Sequence, residues 1–160
     1  MSRVWAGVDP GRSGAVALLH SNGAVEFMPY AEPGCWDKVL HQDAYPDERL
    51  FVAVERLFAR PGKMSSAKAN FELGRCSGEL EAVLRFNAQP FTGVTPQQWQ
   101  KEFGISGDKA THIDTAKRLF PGVDFRKSDR CRVSFDGYAD ALLIAVWLAW
   151  RTIGGKEVFW

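Results

Sequence analysis

Leu50-Phe51-Val52-Ala53-Val54 is an unbroken apolar run, as expected of a strand buried on both faces. A strand covered above and below belongs to a layered α/β architecture, with helices on the two sides of a sheet. Glu55 stands at the C-terminal end of this run, so an acid is expected at one edge of that sheet.

The rest of the chain supplies partners. Val4 to Val8 reads as a strand that ends at the turn signal Asp9-Pro10-Gly11. Gly14 to Leu19 reads as a second strand, and Ser21-Asn22-Gly23 as a tight turn into a third, Ala24 to Met28. Trp36 to His41 is expected to form a short helix. Ser65 to Phe86 carries Ala69, Leu73, Cys76, Leu80, Val83 and Leu84 at helical spacing, with Gly74, Ser77 and Gly78 flattening one stretch. Pro90 to Val94 is a short fifth strand. Thr95-Pro96-Gln97-Gln98 combines a Thr cap, a Pro at the first helical position and a Gln three residues after the cap, and that helix stops near Gly104. Asp108 caps a further helix that ends at Phe120-Pro121-Gly122. The last helix, about Gly137 to Arg151, is apolar almost all round from Ala141 to Trp150, so it packs either on the sheet or on a second subunit. The order is three hairpin strands followed by alternating strands and helices, which fits a mixed five-stranded sheet flanked by helices.

With 160 residues, the chain suits a single domain, 1–160, with a core of its own. No stretch is long and apolar enough to read as a membrane span. The N-terminal residues enter a strand-like run without a signal peptide's apolar core, so a cytoplasmic location is expected. Cys35, Cys76 and Cys131 form no CxxC pair, and His20, His41 and His112 show no ligand spacing. The net charge of +1 does not favour nucleic acid, but its distribution is uneven. Acids dominate from Glu26 to Glu55. From Arg56 to Arg75 the balance reverses, with Arg56, Arg60, Lys63, Lys68 and Arg75 against Glu72 alone. A second basic cluster holds Arg126, Lys127, Arg130 and Arg132. Such local patches bind phosphates even in a nearly neutral protein, although each alone is also what a solvated face looks like.

Four carboxylates fall where this layout brings chain segments together. Asp9 ends the first strand and Glu55 the fourth, and parallel neighbours present such ends at one edge of a sheet. Asp136 and Asp140 are four residues apart at the start of the last helix and share a face. Singly, Asp9 reads as a turn residue, Asp136 as an N-cap and Glu55 as a surface acid. Together, three separate segments place acids at one edge, where each close pair repels by about 1 kcal/mol at 4 Å even in water. Divalent cations remove that repulsion, and all-oxygen ligands suit Mg²⁺ or Mn²⁺. Asp9-Pro10-Gly11 with Gly14 also resembles the phosphate-1 loop of the sugar kinase and chaperone ATPase superfamily. That reading needs a second loop and a lobe for adenosine, for which the chain has no room, so no nucleotide cofactor is expected.

Several segments taken in order resemble the RuvC family of Holliday-junction resolvases, most of all its phage-encoded and chloroplast branches. They are Gly7-Val8-Asp9-Pro10-Gly11 with Gly14; Val52-Ala53-Val54-Glu55; Ser65-Ser66 with Phe71-Glu72-Leu73-Gly74-Arg75; Val94-Thr95-Pro96-Gln97-Gln98-Trp99; Asp108-Lys109-Ala110; Leu119-Phe120-Pro121; and Asp136-Gly137-Tyr138-Ala139-Asp140-Ala141-Leu142. The resemblance covers about residues 4 to 150 and implies the RNase H-like fold.

It further implies a homodimer that binds a four-way junction and nicks opposing strands symmetrically. Two Mg²⁺ or Mn²⁺ ions would be held by Asp9, Glu55, Asp136 and Asp140. The bacterial members usually space the last two acids by three residues, whereas the interval here is four. Lys109 matches a family lysine near the scissile phosphate and also sits in the first turn of a helix, where backbone N–H groups favour anions. A second family lysine has Lys101 as its nearest candidate, because Trp99 occupies the matching position. Phe58 resembles an aromatic that stacks on unpaired bases at the crossover; it either does so or anchors its loop to the core. Arg56, Arg60, Lys63, Lys68, Arg75, Lys101, Arg126, Lys127 and Arg130 are the candidate DNA contacts. A nuclease acting on forks and flaps as well, and a junction-binding protein without catalysis, are the alternative functions.

Overall fold

β1 (Ser2–Asp9) runs through the middle of a five-stranded sheet. It is followed by β2 (Ala15–His20) and β3 (Val25–Pro29), which complete an antiparallel meander. β4 (Glu48–Glu55) then pairs parallel to the other edge of β1, with Val8 beside Val54, and β5 (Phe91–Val94) pairs parallel to β4. The order across the sheet is β3-β2-β1-β4-β5. The computed structural model describes residues 2–11, 13–30, 39–40, 48–56, 58 and 66–154. Of the short helix expected over Trp36 to His41, Val39 and Leu40 are helical and the rest lies outside the described residues.

The helices begin where their caps dictate. α1 (Ala67–Phe86) starts after Ser66, whose hydroxyl accepts from the Ala69 N–H. α2 (Pro96–Phe103) has the full reciprocal capping box of Thr95 and Gln98, and ends at Gly104 in the left-handed conformation at φ 66°. α3 (Lys109–Leu119) starts after Asp108, which accepts from the Ala110 N–H. α4 (Asp136–Ile153) differs: its cap, Phe135, makes no side-chain cap bond. Asp136 is therefore the first helical residue and not the cap, and its charge faces the positive end of the helix dipole.

Strand periodicity divides the core into two. Val4, Ala6 and Val8 of β1 pack with Val52 and Val54 of β4 and with Leu80 and Leu84 of α1 on one face. Trp5 and Ala53 join α4 on the other. Gly7, on this second face, lets α4 lie directly on the sheet: a Cβ there would stand 2.0 Å from the Ala141 carbonyl oxygen and 2.4 Å from the Ala145 nitrogen. Farther along, the Trp5 indole donates to Thr152 Oγ1 at 2.7 Å. Every residue of α4 from Gly137 to Ala149 is buried. Of the two expected places for this helix, the chain's own sheet is the one it occupies, so α4 offers no broad apolar face to a second subunit. β4 begins at Glu48, earlier than the apolar run suggests, because its register matches β1 from Ser2 onward. No helix among the described residues is long and apolar enough to cross a membrane.

Candidate active site

Asp9 and Glu55 follow from the same alternation that builds the core. Trp5, Gly7 and Asp9 share one face of β1, and Phe51, Ala53 and Glu55 share the same face of β4. Val8 pairs with Val54 at the C-terminal ends of these parallel neighbours, so the acid that follows each valine emerges at one edge on the α4 side. α4 enters there with Asp136 in its first turn and Asp140 one turn on. Its approach is close at this end too, since a Cβ on Gly137 would stand 2.5 Å from the Ser13 carbonyl oxygen. Three segments distant in sequence thus place Asp9, Glu55 and Asp140 on the wall of one cavity of about 620 Å³. Lys109, His112 and Trp99 line the same cavity, and α1 contributes Lys68 and Glu72. Asp136 stands beside this wall and does not line it; its side chain is 38% exposed.

The acids are buried and held. Glu55 is 7% exposed and accepts from the Trp99 indole N–H at 2.7 Å. Asp140 is 4% exposed; its Oδ1 lies 2.6 Å from His112 Nδ1, and its Oδ2 is bonded to the Lys109 ammonium. Lys109 also lies 3.3 Å from Asp136 Oδ2. The other imidazole nitrogen, His112 Nε2, faces the Ser106 carbonyl at 2.5 Å, an acceptor only, so it carries a hydrogen.

Electrostatics follow from this crowding. Burial, and then the charges of Glu55 and Asp140, push Asp9 well above the ordinary 3.8 of an aspartate, against the opposing pull of Lys109. Burial likewise raises Glu55 and the Asp140 charge adds to it, while the Trp99 hydrogen bond opposes. Burial alone would lower Lys109 and His112, but Asp140 outweighs it and both are raised. The result is a nest of negative charge that the protein balances with one ammonium and, with an acceptor at each ring nitrogen of His112, one imidazolium.

Among the described residues, no three His, Cys, Asp or Glu side chains converge on one point as a ready-made metal cage. The reason is visible in the partners: Asp140 gives its oxygens to Lys109 and His112, and Glu55 gives one to Trp99. The donor chemistry nevertheless suits a hard divalent cation, because oxygens that repel one another inside a cavity are what such an ion relieves. Asp9, Glu55 and Asp140, which line the cavity, are the residues that could hold it.

The candidate DNA contacts differ in their surroundings. Lys68 lines it. Arg56 is exposed and its side chain lies flat over Gly93, where a Cβ would come 2.0 Å from Arg56 Nε. Phe58 is 68% exposed, at the edge of a second cavity of about 300 Å³ shared with Glu55, Arg56 and Phe91, and so is not packed into the core. Lys101 and Arg130 are exposed. Arg75 is engaged on α1 by Glu72 at 2.9 Å and Glu79 at 2.5 Å. Arg126 is paired with Asp124 at 2.6 Å, and Lys127 sits 3.8 Å from the centre of the Phe135 ring. Arg60 and Lys63 lie outside the described residues. Sequence reading misses His112 and the contact of Trp99 with Glu55. The available signal is the spacing of Lys109 and His112, three apart on α3, which gives both one target, Asp140.

No family model and no curated protein matches the chain in sequence. Its structure is similar to that of Thermus thermophilus RuvC in complex with a Holliday junction substrate, at 19% identity and a TM-score of 0.55, covering 96% of each chain. A second T. thermophilus RuvC structure matches at 20% identity and a TM-score of 0.54, over 96% of this chain and 97% of that one. The mixed sheet with α4 laid across β1, and the acids at its edge, is thus built on the RNase H-like fold of RuvC.

Proposed function

We propose that the chain is a divalent-metal-dependent endonuclease that resolves four-way DNA junctions. The observation that carries this reading is the meeting of Asp9, Glu55 and Asp140, from three separate segments, on the wall of one cavity with Lys109 opposite Asp140. The fold shared with a RuvC bound to a junction supports the substrate class.

Asp9, Glu55 and Asp140 would hold the metal, with Asp136, which shares Lys109 with Asp140, as the fourth acid of the set. Mg²⁺ or Mn²⁺, two ions per site, would supply an activated water and stabilise the leaving 3′ oxygen, giving 5′-phosphate and 3′-hydroxyl ends. Lys109, bonded to Asp140 in the free chain, would hold a phosphate oxygen once that acid's charge is shared with a cation. Lys68, which lines the cavity, and the exposed Arg56, Lys101 and Arg130 would grip the backbone of the arms. Symmetric nicking needs two sites, hence a homodimer. The exposed Phe71, 69% accessible, and the open positions at Gly74 and Gly78 on α1 support that helix as the pairing face. A cytoplasmic location is part of the same proposal.

The test is a cleavage assay with labelled four-way, three-way, flap and linear DNA in Mg²⁺, Mn²⁺ or EDTA. The expected result is paired nicks in the four-way junction that need metal, with binding retained and cutting lost in Asp9→Asn, Glu55→Gln and Asp140→Asn. Equal cutting of flaps and three-way DNA would replace the proposal by a broader branched-DNA nuclease. Binding without cutting under every condition would leave a junction-binding protein. Sedimentation of a monomer both free and on the junction would remove the dimer.

A further inference from the structure

Glu55 and Asp140 repel each other across the cavity, yet each is held in one orientation by a buried aromatic donor. Trp99 and His112 are each 1% exposed. Trp99 Nε1 binds Glu55 Oε1, and His112 Nδ1 binds Asp140 Oδ1. The two rings also meet edge to face, with centroids 5.1 Å apart and planes at 70°. His112 is braced from behind by the Ser106 carbonyl on its other nitrogen, so the imidazole cannot rotate without losing that bond.

From this geometry we infer that Trp99 and His112 form a single buried bracket of positioning residues that presents the acids to the cation. Each grips one oxygen of one acid and leaves the second outside the bracket. For Asp140 that second oxygen is the one Lys109 occupies. Lys109 is 54% exposed on its side chain and can leave; His112, 1% exposed, cannot. The bracket therefore stays while the ammonium is exchanged for a cation. Ring contact ties the two grips together, so the side-chain positions of Glu55 and Asp140 are coupled through Trp99 and His112. Neither ring need touch metal or DNA, and the effect runs wholly through the acids. Groups behind metal ligands that orient them in this way typically alter metal affinity or activity by roughly 10- to 100-fold when lost.

The inference rests on the nuclease reading, and the experiment separates the two. Mn²⁺ binding is titrated calorimetrically on the full chain without DNA, for wild type, Trp99→Phe, His112→Phe, His112→Gln and Asp140→Asn. Junction affinity in EDTA is measured alongside, each at a temperature equally far below that variant's melting point. Trp99→Phe and His112→Phe are expected to need roughly 10- to 100-fold more Mn²⁺ for half saturation, at unchanged junction affinity. His112→Gln, which keeps a donor, should recover part of the loss. Trp99→Phe keeps an aromatic ring in the packing and decides the matter alone if His112→Phe does not fold. Wild-type Mn²⁺ affinity in Trp99→Phe overturns the bracket and leaves the nuclease reading standing. A wild-type chain that binds no Mn²⁺ overturns both.

Discussion

The Ala141 carbonyl oxygen lies 2.0 Å from the point a Cβ on Gly7 would occupy, so helix and strand touch backbone to backbone. Asp140 precedes Ala141, and Asp9 follows Gly7 by two residues. The distance between two of the acids is therefore set by a contact that only glycine permits.

Gly7→Ala follows directly. The added methyl meets backbone on both sides and must push α4 off β1. Overpacking of this kind costs about 1–3 kcal/mol, which for a chain of this length corresponds to a melting point lower by roughly 2–4 °C per kcal/mol. Because α4 carries Asp140, Mn²⁺ affinity should fall as well. Thermal melts with Mn²⁺ titration check it; a variant with normal stability and affinity would mean that the contact is looser than described.

Asp9→Asn should stabilise the protein in EDTA while abolishing cleavage. Asp9 has a folded pKa raised well above its ordinary 3.8 by burial and by Glu55 and Asp140. The folded chain thus binds that proton more tightly than the unfolded one. Its contribution to stability is present at low pH and is lost as the pH rises from near 4 through the folded pKa. The melting point of wild type should fall relative to Asp9→Asn over that rise, and Mg²⁺ should lift wild type alone. Parallel melting curves across pH would show that Asp9 carries no such strain.

Lys109→Ala divides binding from catalysis. Removing the ammonium takes away the group bonded to Asp140 and 3.3 Å from Asp136, so Mn²⁺ should bind the free protein more tightly. The cleavage rate should nevertheless drop roughly 10²–10³-fold, as for losing one electrostatic stabiliser. Single-turnover rates at saturating metal measure the second effect. A normal rate would make Lys109 only a counter-ion of the acids.

Much of the fold is legible in the sequence because its signals are local. Caps at Thr95 and Asp108 mark helix starts, and strands read as parallel neighbours bring their end residues Asp9 and Glu55 to one edge of the sheet. The partners of those acids are not legible. Whether Trp99 reaches Glu55, or His112 reaches Asp140, depends on how α2 and α3 settle against α4, across 44 and 28 residues of chain. The place of α4 is equally open in the sequence, since an all-round apolar helix looks the same whether sheet or subunit covers it. Ion pairs such as Arg75 with Glu72 and Glu79 change what a basic run can offer to DNA, and one residue type in a string cannot reveal its neighbour.

If the chain opens junctions as proposed, Phe58, exposed at 68% beside Arg56, is the residue to test for stacking on the freed bases. Stacking on a base contributes about 1–3 kcal/mol. Phe58→Ala should therefore slow cutting of a fully paired junction and recover on one with unpaired bases at the crossover. Mn²⁺ affinity should be unchanged. Equal impairment on both junctions would assign Phe58 a structural role in its loop.

For the proposed nuclease, the burial of α4 from Gly137 to Ala149 also sets the moment at which the chain becomes dangerous to DNA. On the ribosome the strands bearing Asp9 and Glu55 emerge first, and the helix with Asp140 follows them and brings with it most of one core layer. A nascent or truncated chain lacks both the third acid and the packing that would hold the other two in place. Cutting competence and the packing of α4 on the sheet arrive together, so a copy without that helix would not cut.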